Sequence, residues 1–217
     1  MRILYVITGL TVGGAEIVTI DIVNGMAERS HTVKFVALNN RDELSHRIHP
    51  SVDFSTLNMG KSPLSFAKSA WKLHQEVVRF RPDVVHANMV HANIFTRLVR
   101  LFTKMPLLIS TAHSNNEGGA ARMWAYRLTD CLSDINTNVS DGALDCFVQN
   151  KWFSKKKSLS VYNGINLDKF CPDAEKGWTI REKYGISSTD FLFLFVGRLI
   201  DLKDILCLVD LSSTTSS

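Results

Sequence analysis

Residues 3–38 read ILYVITGLTVGGAEIVTIDIVNGMAERSHTVKFVAL. Ile3 to Thr8 is a short apolar run of the kind a buried strand needs, and it is stopped by Gly9 and then by the pair Gly13-Gly14. From Ala15 to Ala27 the apolar residues fall at Ile17, Val18, Ile20, Ile22, Val23 and Met26, which is helical spacing. Thr32 to Leu38 is a second strand, with Val33, Phe35, Val36 and Ala37. Strand, glycine turn, helix and strand in this order make a parallel β-α-β unit.

The same alternation continues outward. Val52 to Leu57 predicts a third strand, and Pro63 opens a helix to about Arg79 with Phe66, Ala70, Leu73, Val77 and Val78 on one face. Proline is tolerated at that position because the missing N–H had no partner in a first turn. Pro82-Asp-Val-Val-His86 predicts a strand entered through a proline, followed by a helix over 92–102 and a strand over 107–112. Helices over 120–132 and 141–148 then alternate with strands over 135–139 and 159–162. About seven strands joined by helical crossovers predict an α/β fold, a doubly wound Rossmann-like parallel sheet, ending near Asp168.

After Asn163-Gly164 the pattern changes. Residues 169–190 read as a connector containing a short helix over Trp178 to Tyr184. Residues 191–217 open with Phe191-Leu-Phe-Leu-Phe-Val196. That apolar run, followed by Gly197-Arg198, predicts the first strand of a second α/β domain, present only as a stub. An apolar strand without sheet neighbours satisfies neither its backbone nor its faces, so either the chain is truncated, and then expected to be inactive alone, or this strand pairs elsewhere.

Composition narrows the classes. The chain has 217 residues, 45% hydrophobic and 21% charged, which supports one sizeable core and excludes disorder over most of its length. A net charge of +4 suits an anionic ligand or surface but is far from a nucleic-acid footprint. Cys131, Cys146, Cys171 and Cys207 are widely spaced with no CxxC pair, against a zinc site or disulfide framework. No apolar stretch approaches the length of a spanning helix. These features predict a cytoplasmic protein, with one basic-aromatic run, Lys151 to Lys157 carrying Trp152 and Phe153, that admits peripheral contact with the inner face of a membrane. A solvated loop is the alternative for that run.

Four motifs carry chemistry. Gly13-Gly14-Ala15-Glu16 opens the first helix, where backbone N–H groups and the helix dipole favour a phosphate, although a tight turn explains the glycines equally well. It is neither GxGxxG nor a P-loop. His86, Asn88 and, beyond them, His91 follow a strand at its carboxyl end, where open α/β sheets bind ligands; a structural hydrogen bond is the competing role for such a histidine. Ser110-Thr-Ala-His113-Ser-Asn115 ends another strand and could bind sugar hydroxyls or be ordinary loop polarity. Gly197-Arg198 with Lys203 could clamp a diphosphate.

Order and spacing make these pieces specific. Gly-Gly-Ala-Glu after strand one, PDVVHANMVHAN (82–93), STAHS (110–114), NVSDGA (138–143), VYNGINLDKF (161–170) and FVGRLIDLKD (195–204) occur in one order along the chain. In this the sequence resembles the amino-terminal region of retaining glycosyltransferases of the GT-B fold, family 4, the group that includes bacterial polysaccharide and lipid-glycan enzymes. The resemblance implies transfer of a sugar from a nucleotide diphosphate sugar to a glycan or lipid-linked acceptor, without a cofactor and ordinarily without a metal. It implies His113 as the catalytic residue facing the reacting sugar, and Gly13 and Gly14 on the diphosphate side. Arg198 and Lys203 would be the phosphate clamp, and Glu16, His86, Asn88 and Ser140 would line the cleft. Asn88 stands where the family often has a second histidine, so acceptor contacts differ there. A non-catalytic acceptor- or sugar-binding module is a second reading. A nucleotide-binding oxidoreductase or epimerase is a third, weakened by the missing GxGxxG and by Leu38-Asn39 where an acidic residue would end strand two.

Overall fold

The computed structural model describes residues 1–168, 170–197, 199 and 204–214. The chain divides into two units, Met1–Ile165 and Asn166–Ser217. The first holds seven strands: β1 (Arg2–Ile7), β2 (Thr32–Ala37), β3 (Asp53–Thr56), β4 (Val84–Asn88), β5 (Leu108–Ala112), β6 (Ile135–Asn138) and β7 (Ser158–Ser160). Between them lie α1 (Gly14–Glu28), α2 (Pro63–Phe80), α3 (Val90–Arg100), α4 (Ala120–Thr129) and α5 (Asp141–Gln149).

The strands form one sheet in the order β3-β2-β1-β4-β5-β6-β7, and every pairing is parallel. The α/β, doubly wound, Rossmann-like reading therefore holds. β1 lies inside the sheet between β2 and β4, and five of its six residues are buried, which is why it reads as a continuous apolar run rather than an alternating one. The chain steps outward from β1 through β2 to β3 and returns to β4 on the opposite side of β1, so the topological switch point lies between β1 and β4.

Helices cover both faces. On one face Ala70, Leu73, Val77 and Phe80 of α2 and Ala92, Phe95 and Val99 of α3 pack on Leu4, Val6, Val36 and Val85. On the other, Ile20 and Val23 of α1 pack on Ile3, Tyr5, Ile7 and Phe35. A third cluster joins Met123 and Tyr126 of α4, Phe147 of α5 and Phe153. Ser62 caps α2 by accepting from the Ser65 N–H at 3.2 Å, and Pro63 follows it at the first helical position. Ser140 caps α5 in the same way.

Two expectations need correction. The apolar run at 191–196 forms no hydrogen-bonded strand. Its side chains, Phe191, Leu194 and Val196 among them, are largely exposed, because β-structure requires a neighbouring strand to take its N–H and C=O groups. Among the described residues, the elements of the second unit are α6 (Ala174–Lys183), capped by Asp173, and α7 (Ile205–Thr214). The basic-aromatic run at 151–157 also differs from its reading. Phe153 is buried, Trp152 packs on the third cluster, and Lys157 Nζ donates to the Ser133 carbonyl at 2.7 Å beside Asp130, so the aromatics face inward. Among the described residues no helix is long and apolar enough to cross a membrane.

Candidate functional site

Ile7 lies beside Asn88 in the sheet and Asn88 beside Thr111. The turn after β1, the residue after β4 and the loop after β5 therefore leave one edge of the sheet side by side, at the switch point. Open α/β sheets bind ligands at this edge.

The β1 turn is held on both flanks. Leu10 N–H donates to the Arg41 carbonyl at 2.7 Å, and Leu44 N–H donates to the Leu10 carbonyl at 3.0 Å. Glu16 is buried and accepts the Thr11 hydroxyl at 2.9 Å, folding its carboxylate back over the helix start. A Cβ on Gly13 would lie 2.4 Å from Glu16 Oε2, so Gly13 is required by the carboxylate packed against it. Gly14 is exposed, and a Cβ there would meet nothing within 4 Å. The two glycines thus differ: one makes room for Glu16, the other opens the first turn of α1 to solution.

At the end of β4 and β5 the polar groups interlock. His86 Nε2 hydrogen-bonds Thr111 Oγ1 at 2.7 Å, and Thr111 Oγ1 meets Thr137 Oγ1 at 2.6 Å. The His86 ring also lies 5.2 Å from that of Tyr5. Burial, and secondarily the neighbouring His113, lowers the His86 pKa to about 4. Asn88 Nδ2 faces the His86 carbonyl at 3.5 Å, which turns Oδ1 toward His113 Nε2 at 3.2 Å. An amide oxygen only accepts, so His113 donates from Nε2 and carries its lone pair on Nδ1. Burial lowers the His113 pKa to about 4, so the ring is neutral at pH 7. Nδ1 is buried and has no hydrogen-bond partner, as is Thr8 Oγ1 at the end of β1.

A second layer supports this rim. The His113 backbone N–H donates to Glu117 Oε1 at 2.7 Å, and Tyr126 Oη donates to Glu117 Oε2 at 2.5 Å. Burial raises the Glu117 pKa against those hydrogen bonds. Asn93 Nδ2 reaches both Tyr126 Oη at 2.7 Å and the Thr111 carbonyl at 2.8 Å. Beneath them Arg97, fully buried, donates to Ser110 Oγ, Asn136 Oδ1, Thr129 Oγ1 and the Tyr126 carbonyl. Met89, directly after Asn88, holds φ 74° and ψ 154°, a conformation otherwise close to glycine-only.

Gly14, His86, Asn88 and His113 therefore sit on one rim. Glu16 is there too, with its carboxylate engaged. Ser140 follows β6, two strands away from β4, and its hydroxyl caps α5 by accepting from the Ala143 N–H at 3.2 Å. Arg198 and Lys203 lie outside the described residues. Sequence reasoning missed Met89, Glu117, Tyr126, Asn93 and Arg97. Glu117 had a faint signal, an acid in the loop ahead of Gly118-Gly119. Arg97 had none, because an arginine on a helix ordinarily reads as solvent-facing.

The family model for Glycosyltransferase Family 4 matches residues 12–169. Comparison with curated protein sequences returned no match. Among solved structures, a glycosyltransferase from Rickettsia africae is 21% identical with a TM-score of 0.80, over 99% of this chain and 57% of that one. Sucrose-phosphate synthase from Thermosynechococcus elongatus is 15% identical with a TM-score of 0.79, over 100% and 60%. Anabaena HepE in complex with UDP is 18% identical with a TM-score of 0.66, over 85% and 50%. This chain thus spans between half and 60% of the length of those three structures. At such identities the structural likeness speaks for the fold, and the family follows from the sequence match over most of the first unit. The chain belongs to glycosyltransferase family 4.

Proposed function

We propose that the chain supplies the acceptor-side half of a glycosyltransferase. The enzyme passes a sugar from a nucleotide diphosphate sugar to a glycan or lipid-linked acceptor, with retention, on the cytoplasmic side of a membrane. The observation that carries this reading is His113: neutral, oriented by Asn88 through Nε2, and left with an unpartnered lone pair on Nδ1 at the switch-point rim. A buried acceptor without a partner costs about 1–3 kcal/mol, and a sugar hydroxyl donating to Nδ1 would remove that cost. Being neutral, His113 is not the counter-charge of the departing diphosphate. That role is assigned to Arg198 and Lys203, with the open first turn of α1 at Gly14 presenting N–H groups and the positive end of the helix dipole. As the bond from the anomeric carbon to the diphosphate oxygen breaks, the bond to the acceptor oxygen forms on the same face, and the proton of the acceptor hydroxyl passes to the departing diphosphate oxygen. HepE, a structural relative, has been seen with UDP and with UDP-glucose, which supports the donor class.

The test joins this chain to the donor-binding domain of a family relative and assays transfer across nucleotide sugars with glycan and lipid-linked acceptors. His113→Ala is expected to lower turnover about a hundredfold while leaving nucleotide diphosphate affinity within about threefold. Gly14→Ala is expected to fold as the parent does, since its Cβ meets nothing, yet to weaken donor binding. Unchanged turnover in His113→Ala would remove the catalytic assignment. Acceptor binding without transfer from any donor would leave a binding module.

A further inference from the structure

We infer that Glu117 is a positioning residue for the reaction: it fixes the backbone at His113 while Asn88 fixes the ring, so that the free lone pair of His113 has one direction. The loop that leaves β5 is shaped to bring Glu117 back beneath His113, four residues earlier. Asn116 Oδ1 accepts from the N–H groups of Gly118 and Gly119 at 3.0 and 3.2 Å, and the Ser114 hydroxyl donates to the Asn116 carbonyl at 2.8 Å. Gly118 and Gly119 hold φ of 114° and 88°, where a side chain would be strained, and they turn the chain from Glu117 directly into α4. Tyr126 of α4 packs between Phe147 and Phe153, which holds its hydroxyl against Glu117.

Each hydrogen bond in this support has a forced direction. The Thr111 carbonyl only accepts, so Asn93 turns Nδ2 toward it and gives a second N–H to Tyr126 Oη. Tyr126 then donates its own proton to Glu117 Oε2, and the His113 N–H donates to Oε1 at 2.7 Å. Both carboxylate oxygens are met by neutral donors. Among the described residues no lysine or arginine lies within ion-pair distance of Glu117. Burial raises its pKa, opposed by those two hydrogen bonds and by the more distant Arg97. What the carboxylate supplies is geometry, an acceptor for each of two donors. A glutamine of the same shape offers one acceptor and would leave either the His113 N–H or the Tyr126 O–H without a partner. With Nε2 on Asn88 at 3.2 Å and the backbone N–H on Glu117, Nδ1 is the ring nitrogen left for the substrate.

The inference rests on the proposed role of His113, and its first readout needs no sugar transfer. In the 217-residue chain with 15N-labelled histidine, His113 is assigned through His113→Gln. The parent should show one tautomer, protonated at Nε2. In Glu117→Gln the two ring nitrogens should move toward averaged shifts, as the ring leaves Asn88. Tyr126→Phe, which keeps the packed ring and loses only the hydroxyl, should do the same to a smaller extent. In the enzyme fused to a donor-binding domain, Glu117→Gln should lower kcat about thirtyfold and Tyr126→Phe about tenfold, with the donor KM within about twofold of the parent. Because both act through one contact, the double variant should be no slower than Glu117→Gln by more than about twofold. A double variant slower by the product of the two effects overturns the inference. So does a Glu117→Gln chain that melts earlier yet keeps the parent's His113 tautomer and kcat, which would leave Glu117 a purely structural residue. A fused parent that transfers no sugar counts against the proposed function alone, since the tautomer measurement still decides the role of Glu117.

Discussion

His86 and His113 are histidines that the fold keeps uncharged. Each has its pKa lowered from 6.5 to about 4, with burial as the main cause. The unfolded chain therefore binds protons between those values that the folded chain refuses, and stability is lost wherever the unfolded state takes up more protons on acidification. The stability they contribute is complete above pH 6.5 and falls away as pH drops toward 4, at about 1.4 kcal/mol for each pH unit of displacement per histidine. Urea unfolding at pH 7.5 and pH 5 should show a loss of a few kcal/mol, about 2 or more. His113→Gln, with one such group fewer, should lose less over the same interval. Parent and variant with identical pH slopes would show that His113 titrates as an ordinary surface imidazole. The candidate rim was legible at this scale only as residue types. That His113 would pair with Asn88, and His86 with Thr111, depends on strands 25 residues apart in sequence lying side by side.

At the scale of elements, the β4–α3 junction holds the strain. Met89 must turn the chain from Asn88 into α3 within one residue, and its backbone is held by bonds from the Met89 N–H to the Thr111 carbonyl and from the Asn93 N–H to the Met89 carbonyl. Such a conformation costs a non-glycine residue about 1–3 kcal/mol. Met89→Gly and Met89→Ala both lose the side chain beyond Cβ, and only glycine, which also lacks Cβ, relieves the strain. Met89→Gly should therefore be the more stable of the two by about 1 kcal/mol, read from urea midpoints with equal slopes. The reverse order would mean the loop relaxes when the methionine is removed. The start of α2 was readable from Pro63, because a first helical turn is a local event, whereas the capping role of Ser140 was not. The strand expected at 191–196 was not reliable for the opposite reason, since a strand is completed by another strand.

At the scale of the whole molecule, the seven strands and three buried clusters found among the described residues fall within Met1–Ile165. Residues 1–165 expressed alone should unfold in one cooperative transition, with a midpoint within about 5 °C of the 217-residue chain. A broad transition or a much lower midpoint would show that residues 166–217 complete the core. The sequence by itself determined the parallel α/β sheet, the positions of its turns and the family, because periodicity, glycine turns and capping act over a few residues. Only the tertiary structure decided that Gly13 serves Glu16 while Gly14 stays open, and that Trp152 and Phe153 turn inward while Trp71 and Leu64 face out. It also decided that Arg97, Asn93, Tyr126 and Glu117 stand beneath His113. Those outcomes depend on which side chains the crossovers bring together, and burial, pKa and hydrogen-bond partners are properties of that meeting rather than of any residue in the chain.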